Sequence, residues 1–334
     1  MSHRLQDLHA TGAPPLDVAR WPAAHAETLT AWTEMVGPIG DPLPARWDVL
    51  SRKEFPTHSR LHIGYQTADG DRVPALVLVP RRPGPWPGVL ALHPTSEDGK
   101  RDVATPEGRD NRRYGLELVE RGYLVMAPDT ITAGERVADD QKPFHTAGFV
   151  AEYPELSPVG KMIADHRQAV SVLAAIEGVD ADRIGAIGHS LGGYNSWFLA
   201  GLDPRVKAVV SSCGFATFAG DSERHRWGNR DWFSHLPRLS PLIDRGEVPF
   251  EFHEILALMA PRPLFTYLAM GDEYFPHWQQ GALALDRVHD LYTALGMPEA
   301  MVTWIGHGGH DFPPPVREAA YRFLDTWLRP SVTG

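Results

Sequence analysis

Short apolar runs that alternate with longer amphipathic segments restrict the fold of this sequence more than any other feature. From about residue 60, runs such as 88–93, 183–188 and 206–212 are rich in Val, Leu, Ile and Ala and show no polar alternation. Strands that are buried on both faces of a parallel sheet have this composition. Because helical segments lie between the runs, the sequence predicts a doubly wound, mostly parallel α/β sheet. The eight predicted strands are residues 61–67, 73–80, 88–93, 123–128, 183–188, 206–212, 263–270 and 301–305.

Most of the segments between these strands have the apolar spacing of helices. A short turn, Ala68-Asp69-Gly70-Asp71, joins the first two strands, so the sheet should begin with an antiparallel hairpin. The predicted helices are residues 23–36, 110–121, 161–176, 191–202, 281–295 and 317–328.

Two segments depart from the alternation. Residues 1–58 are rich in proline, and we predict an extension packed on a catalytic domain at 59–330. Leu29 and Trp32 share one face of the helix in that extension, which could instead form a contact in a homo-oligomer. Residues 213–260 are rich in aromatic and basic side chains. A structureless loop of that length is unusual, so we predict an inserted lid over the carboxyl edge of the sheet.

Composition excludes several classes of protein. The 334 residues are 43% hydrophobic and 22% charged, which excludes a disordered chain, a collagen-like fibre and a coiled coil. The net charge of −10, without a Lys/Arg run, predicts neither a nucleic-acid nor an anionic membrane partner. The single cysteine, Cys213, excludes an intrachain disulfide. Because no apolar run approaches about 18 residues, we expect a soluble, cytoplasmic protein.

The strongest chemical signal is the segment Gly188-His189-Ser190-Leu191-Gly192-Gly193, between a predicted buried strand and a predicted helix. A nucleophile on such a tight turn has strained backbone angles, and small residues two positions before and after it avoid clashes. The turn also places the serine hydroxyl at a helix N-terminus, whose dipole favours developing negative charge. We therefore predict that Ser190 is a nucleophile rather than a helix cap.

A serine nucleophile needs a base and an acid, which in sheets of this type follow it along the chain. Asp272 is the first carboxylate after the next-to-last predicted strand, so it is the predicted acid, with Glu273 as the alternative. Two histidines, His307 and His310, follow the last predicted strand. We predict His310 as the base, because the two glycines before it give the loop freedom to reach the serine.

Two backbone N–H groups are the predicted oxyanion donors. One belongs to Leu191, the residue after the nucleophile. The other should come from the loop after the third predicted strand, where Pro94 has no N–H to donate. We therefore predict Thr95, with Ser96 as the next choice. With these donors, the serine would form an acyl-enzyme that water then hydrolyses.

No metal or cofactor site is predicted. The sixteen histidines include no His-Glu-x-x-His motif, and His58 and His62 lie around a predicted strand start rather than on a helix face. Asp129 and Glu135 are interpreted as loop-stabilising carboxylates. Cys213 is interpreted as a packing residue at a strand end.

Four segments together resemble the α/β-hydrolase superfamily and, within it, the dienelactone hydrolase-like and acetyl xylan esterase-like branch. The resemblance covers roughly residues 60–330 and implies carboxylic ester hydrolysis by the predicted triad without a cofactor. Two departures stand out: dienelactone hydrolases proper carry Cys where this chain has Ser190, and many relatives carry His-Gly where it has His93-Pro94. The segments are residues 88–95, 114–129, 188–193 and 309–313, the last reading Gly-His-Asp-Phe-Pro.

The leading functional hypothesis is a serine esterase that cleaves a small or medium ester, the predicted small-molecule partner. An amide or acyl-peptide hydrolase with the same triad and a non-catalytic scaffold used for binding are the alternatives. The predicted lid offers aromatic walls and basic groups that suit a substrate with an apolar part and a polar or anionic part. The predicted substrate-binding residues are His93, Phe215, Trp227, Trp232 and Tyr274.

Overall fold

A single sheet of nine strands lies at the centre of the protein, in the order β1-β2-β3-β5-β4-β6-β7-β8-β9. The computed structural model describes residues 18–218, 221–223 and 225–329. The strands are β1 (Trp47–Glu54), β2 (His58–Gln66), β3 (Arg72–Pro80), β4 (Trp86–Leu92), β5 (Leu124–Pro128), β6 (Val179–His189), β7 (Val206–Ser212), β8 (Leu264–Ala269) and β9 (Met301–Gly306).

Helices cover both faces of this sheet. Three short 3-10 helices, Val18–Arg20, Gly134–Arg136 and Pro298–Ala300, accompany them within the described residues. No helix in these ranges is long and apolar enough to cross a bilayer. The α-helices are α1 (Trp21–Val36), α2 (Arg101–Ala104), α3 (Tyr114–Glu120), α4 (Ala147–Glu152), α5 (Pro158–Ala175), α6 (Leu191–Leu202), α7 (Leu239–Arg245), α8 (Phe252–Ala257), α9 (Trp278–Ala294) and α10 (Pro314–Leu328).

The strand directions confirm the predicted fold class. β1, β2, β3 and β5 pair antiparallel in succession, and the β2–β3 hairpin is the one predicted from its turn. β5, β4, β6, β7, β8 and β9 are all parallel. The parallel strands therefore end at one common edge, where open α/β sheets bind their ligands.

The predicted number of eight strands is wrong, because β1 is a ninth strand inside the predicted N-terminal extension. β1 carries four charged side chains, is almost entirely exposed, and changes register between Val49 and Ser51. Charges and bulges of this kind discourage an edge strand from pairing with other chains. They also remove the apolar pattern by which a strand is recognised in a sequence.

Two apolar clusters, one on each face of the sheet, form the core. Helices α1, α5, α6 and α9 contribute to one cluster, and α2, α3 and α10 to the other. Trp197 on α6 and Leu324 on α10 are both 0% exposed. Because complete burial of one large apolar side chain contributes about 1.5–3 kcal/mol, these faces hold the helices firmly to the sheet.

Helix α1 packs on the core through the face predicted for it. The Trp32 ring lies 4.7 Å from the Phe198 ring and 5.7 Å from the Phe250 ring. Val36 is fully buried and Leu29 is partly buried. The first 17 residues of the predicted extension lie outside the described residues.

The described residues between 213 and 260 form a packed insertion that contains α7 and α8. The ring of Phe252, at the start of α8, lies 4.3 Å from the Phe218 ring and 4.6 Å from the Trp227 ring. Glu251 and Glu254 form a capping box at the same helix start. The insertion therefore packs into the main apolar core, and several of its side chains line the cavity at the carboxyl edge of the sheet.

Candidate active site

Ser190 occupies the sharp turn between β6 and α6. Its φ of 53° and ψ of −119° lie in a region that residues with a Cβ rarely adopt. Such a conformation costs of the order of 1–3 kcal/mol and persists only when its surroundings enforce it. Here the Ser190 N–H donates to the carbonyl of Ser212 on the neighbouring strand at 2.8 Å. The strained turn predicted from the sequence is therefore present.

The two glycines that flank the serine are required by packing. A Cβ at Gly188 would lie 2.1 Å from the carbonyl carbon of Gly192, and one at Gly192 would lie 1.9 Å from the Leu92 carbonyl oxygen. Such contacts are far inside van der Waals distance. The Gly-x-Ser-x-Gly spacing thus allows α6 to start directly against the end of β4.

Asp272 and His310 meet at the ends of β8 and β9. The His310 Nδ1 lies 2.8 Å from Asp272 Oδ2, while Oδ1 accepts the N–H groups of Tyr274 and Phe275 at 2.9 Å each. Burial raises the pKa of the Asp272 carboxyl, but these hydrogen bonds outweigh it and hold the pKa below its usual value. An ionised carboxylate can only accept, so His310 donates from Nδ1 and keeps Nε2 for another partner.

The alternative acid and base lie elsewhere. Glu273 Oε2 accepts the backbone N–H of His310 at 3.3 Å, whereas the carboxylate bonded to the His310 ring is that of Asp272. His307 is exposed. The geometry therefore groups Asp272 with His310, as predicted from their positions after the two strands.

The predicted reason for choosing His310, flexibility of the two preceding glycines, is wrong. Neither Gly308 nor Gly309 has a positive φ, and a Cβ at either would make only ordinary contacts of 3.5–3.6 Å. Backbone hydrogen bonds fix the loop instead. The Met270 N–H donates to Gly306 O at 2.9 Å and the Gly271 N–H donates to Gly308 O at 2.7 Å. These bonds join the loop of the acid to the loop of the base.

Sheet register brings the predicted oxyanion donors to the same edge. Leu92 at the end of β4 pairs with Gly188 of β6, so the loop that carries Thr95 begins beside the serine turn. Thr95 lines the cavity that contains Ser190. Leu191 is the first residue of α6, and its N–H has no carbonyl one turn earlier in the helix. Both N–H groups stay predicted donors.

His93 is not a substrate-binding residue in this structure, which corrects the prediction. It is 0% exposed, and both ring nitrogens are occupied. Its Nδ1 donates to the Pro94 carbonyl at 2.7 Å, and its Nε2 accepts the Thr130 N–H at 3.1 Å. Burial lowers the pKa of His93, so the ring stays neutral and anchors the loop that leads to Thr95.

Ser190 and His310 line one cavity of about 440 Å³, between the sheet edge and the insertion. Of the predicted substrate-binding residues, Trp227, Trp232 and Tyr274 contribute to its wall. Phe215 does not: it is 3% exposed and its ring packs 6.0 Å from the Trp197 ring in the core. The remaining lining residues are Pro94, Thr95, Arg109, Arg112, His189, Tyr194, Arg226, Arg230, Phe233, His235 and Phe275.

Comparison with known proteins relates part of this chain to a described family. The Dienelactone hydrolase family matches residues 73–226, which contain the serine turn. Over these residues the chain is similar to the dienelactone hydrolase-like branch of the α/β-hydrolases. By family it is a carboxylic ester hydrolase.

Individual relatives of this α/β-hydrolase cover most of its length. The protein YtaP of Bacillus subtilis (strain 168) is 27% identical over 274 residues, which are 77% of this chain and 84% of YtaP. Among solved structures, a glucuronoyl esterase from Solibacter usitatus has a TM-score of 0.71 at 20% identity, covering 94% of this chain and 95% of that one. Acetyl xylan esterase 1 from Thermoanaerobacterium sp. has a TM-score of 0.59 at 18% identity, covering 96% and 97%. These structures show that the fold is shared.

Sequence reasoning missed Arg112, which holds the loop of the α/β-hydrolase's His310 in place. Its Nη2 donates to the His310 carbonyl at 3.1 Å, and its Nη1 forms an ion pair with Asp311. The bonded residues are 198 positions apart in the chain, so no local pattern connects them.

Tyr194 was also missed, although the sequence held a signal for it. It follows Ser190 by four residues on α6, and residues at that spacing lie on the same face of a helix. Its hydroxyl lies 2.6 Å from His235 Nε2 at the cavity wall.

Cys213 lies beside the acid and the base of this α/β-hydrolase. Its sulfur, an oxygen of Asp272 and a ring nitrogen of His310 lie within 4.8 Å of one another. Among the described residues, this is the one group of three side chains close enough together to hold a metal ion. The Asp272–His310 hydrogen bond already uses two of these atoms. Burial and the neighbouring Asp272 raise the pKa of the Cys213 thiol well above its usual value, which disfavours a thiolate ligand or nucleophile.

Proposed function

We propose that this chain is a serine esterase that cleaves a small or medium carboxylic ester through an acyl-enzyme on Ser190. One observation carries the proposal. His310 is hydrogen-bonded through Nδ1 to the ionised Asp272 and lines the same cavity as the strained Ser190. A nucleophile, a base and an orienting acid at the ends of three parallel strands, β6, β9 and β8, are the parts that acyl transfer requires.

In the first half of the proposed reaction, His310 Nε2 takes the proton of the Ser190 hydroxyl as Oγ attacks the ester carbonyl. Asp272 keeps the imidazole in the tautomer that leaves Nε2 able to accept, and it stabilises the imidazolium that forms. The tetrahedral intermediate then breaks its bond to the alcohol oxygen, and the imidazolium returns its proton to the departing alkoxide.

Backbone N–H groups of Leu191 and Thr95 would stabilise the negative oxygen of that intermediate. One well-placed donor contributes about 2.7–4 kcal/mol. The N-terminus of α6 adds a favourable dipole at the same point. In the second half, water loses a proton to His310 and attacks the acyl carbonyl. The bond from that carbonyl to Ser190 Oγ then breaks, the imidazolium returns its proton to Oγ, and the acid leaves.

The cavity supports a substrate of limited size. A volume of about 440 Å³ lies near the lower end of the range found for small-molecule sites, about 300–1,000 Å³. Trp227, Phe233 and Phe275 supply apolar surface for the non-reacting part of such a molecule.

A fluorophosphonate probe tests the proposal directly. We expect the wild-type chain to be labelled at Ser190, and Ser190→Ala to remain unlabelled while it unfolds at the same temperature. An unlabelled wild-type chain would refute the esterase and support a binding scaffold. Matched phenyl esters and anilides then separate the two hydrolytic alternatives, since an amide hydrolase would turn over both.

A further inference from the structure

The cavity beside Ser190 carries only positive charge among its charged lining residues. Four of its lining side chains are arginines and none is a carboxylate, although the whole chain has a net charge of −10. Excess positive charge in a partly enclosed cleft attracts anions, because the low-dielectric walls concentrate the field. The four are Arg109, Arg112, Arg226 and Arg230.

Three of these arginines are neutralised by carboxylates of the protein just outside the cavity. The shortest ion-pair distances are 2.6 Å at Arg109 and 3.0 Å at Arg226. The acidic partners are Asp102 for Arg109, Asp311 for Arg112 and Asp221 for Arg226.

Arg230 differs from the other three, because within the described residues it forms no ion pair with a carboxylate. Its Nη1 donates to the Arg226 carbonyl at 3.3 Å, and its guanidinium lies 4.9 Å from the centre of the Trp232 ring. Burial lowers the pKa of Arg230, whereas the hydrogen bond from Arg109 to Asp102 raises the pKa of Arg109. In the part of the chain that the structure describes, this half-buried cation thus has no carboxylate within ion-pair distance, and Glu223 acts on it only from farther away.

Two charged side chains act on Arg230 from beyond ion-pair distance: Glu223 attracts its guanidinium and Arg226 repels it. His235 lines the same cavity, and burial together with Arg230 lowers its pKa to about 3, so it is neutral. The Tyr194 hydroxyl bonded to it stays protonated, since burial raises its pKa. Arg230 therefore presents a permanent positive charge, and a guanidinium binds a carboxylate through two parallel hydrogen bonds.

We propose that Arg230 binds a carboxylate of the substrate, so that the preferred ester of this enzyme is anionic. The inference rests on the proposed function and specifies its substrate class. The bound carboxylate pairs with the guanidinium, which Trp232 holds by stacking, while the ester group of the same molecule lies at Ser190. The substrate carboxylate supplies the ion-pair partner that Arg230 does not find among the described residues.

Two matched pairs of esters test the inference. Monoethyl glutarate against ethyl valerate places the charge in the acyl part, and 4-acetoxybenzoate against 4-tolyl acetate places it in the alcohol part. We expect the anionic member of at least one pair to have a kcat/KM at least about 10-fold higher, as a charge-assisted hydrogen bond provides. Arg230→Gln should lower that ratio by about 10- to 100-fold. The control Arg245→Gln removes an exposed arginine on α7, and should change the ratio less than about 2-fold.

Two outcomes overturn the inference: no preference for the anionic ester in either pair, or a preference that survives Arg230→Gln. A fluorophosphonate-labelled chain with either outcome retains the proposed function and loses only the substrate class. If the chain is not labelled at all, calorimetry of glutarate binding to the wild type still tests the site. In that case the binding must weaken at least about 10-fold in Arg230→Gln, or the arginine does not hold the anion.

Discussion

The two walls of the cavity are built in different ways. The wall formed by the sheet edge carries Ser190, Asp272 and His310, each in a short loop that backbone hydrogen bonds fix to neighbouring strands. The wall formed by the insertion carries Trp227 and Arg230, and side-chain packing among aromatic rings holds it.

This difference indicates a division of roles. Backbone geometry holds the sheet wall within the narrow tolerances that bond-making groups require. The insertion wall contributes surface and charge, which select a molecule without reacting with it. Substitutions on the sheet wall should therefore lower kcat, and substitutions on the insertion wall should change KM and substrate preference.

The largest expected effect is that of Ser190→Ala. It removes the nucleophile, so we expect kcat for a short chromogenic ester to fall by about 10⁴- to 10⁶-fold. The alanine accepts the same backbone angles, so the thermal midpoint should stay close to that of the wild type. Residual turnover above about 1% of the wild-type rate would place the chemistry elsewhere in the cavity.

The next expected effect compares the two histidines of the loop after β9. His310→Ala removes the base that is bonded to Asp272, and kcat should fall by about 10³- to 10⁵-fold. His307 is exposed, and His307→Ala should leave kcat within about 3-fold. Steady-state kinetics of both variants show which histidine is the base. A larger loss of kcat in His307→Ala than in His310→Ala would contradict the assignment of His310.

A smaller difference in kcat is expected between variants of the two candidate acids, Asp272 and Glu273. Asp272→Asn cannot hold the charged imidazole, so we expect kcat to fall by about 10²- to 10⁴-fold. Glu273→Gln retains an acceptor for the backbone N–H of His310 and should lower kcat less than about 5-fold. Equal losses in the two variants would mean that the two carboxylates act together.

On the insertion wall, we expect Trp232→Ala to change binding rather than chemistry. The side chain is 38% exposed and stacks on Arg230, so KM should rise about 3- to 10-fold while kcat stays within about 2-fold. Trp304 on the edge strand β9 has the same exposure, 38%, and is not part of the cavity lining, so Trp304→Ala is a matched control. If Trp232→Ala lowered only kcat, the insertion wall would take part in the chemistry, which contradicts the proposed roles of the two walls.

The smallest expected effect concerns stability at low pH. The folded state lowers the pKa of Asp272 below its usual 3.8, so the ionised carboxylate stabilises the fold above that value. The contribution is lost as the pH falls through the folded-state pKa. In denaturant titrations the wild type should therefore have a higher free energy of unfolding than Asp272→Asn at pH 7, and this difference should shrink as the pH falls below 3.8. A difference that grows as the pH falls would contradict the direction of the shift.

The parts of the site that could be predicted are those with a local cause. The serine turn follows from steric limits within six consecutive residues, and the positions of Asp272 and His310 follow from the order of parallel strands. The edge strand β1 was missed because its exposed, charged sequence has no apolar period to detect. His93 and Phe215 were misassigned because an aromatic ring near the cleft packs equally well in the core.

The sequence by itself determined the α/β class, the nucleophile and the strand ends that carry the acid and the base. It did so because burial pattern and turn geometry are properties of neighbouring residues. Only the tertiary structure decided that the oxyanion loop is anchored by His93, that Arg112 holds the His310 loop, and that Arg230 alone among the cavity arginines lacks a carboxylate partner within the described ranges. Each of these depends on groups that are far apart in the chain and meet only when the sheet, its helices and the insertion pack together.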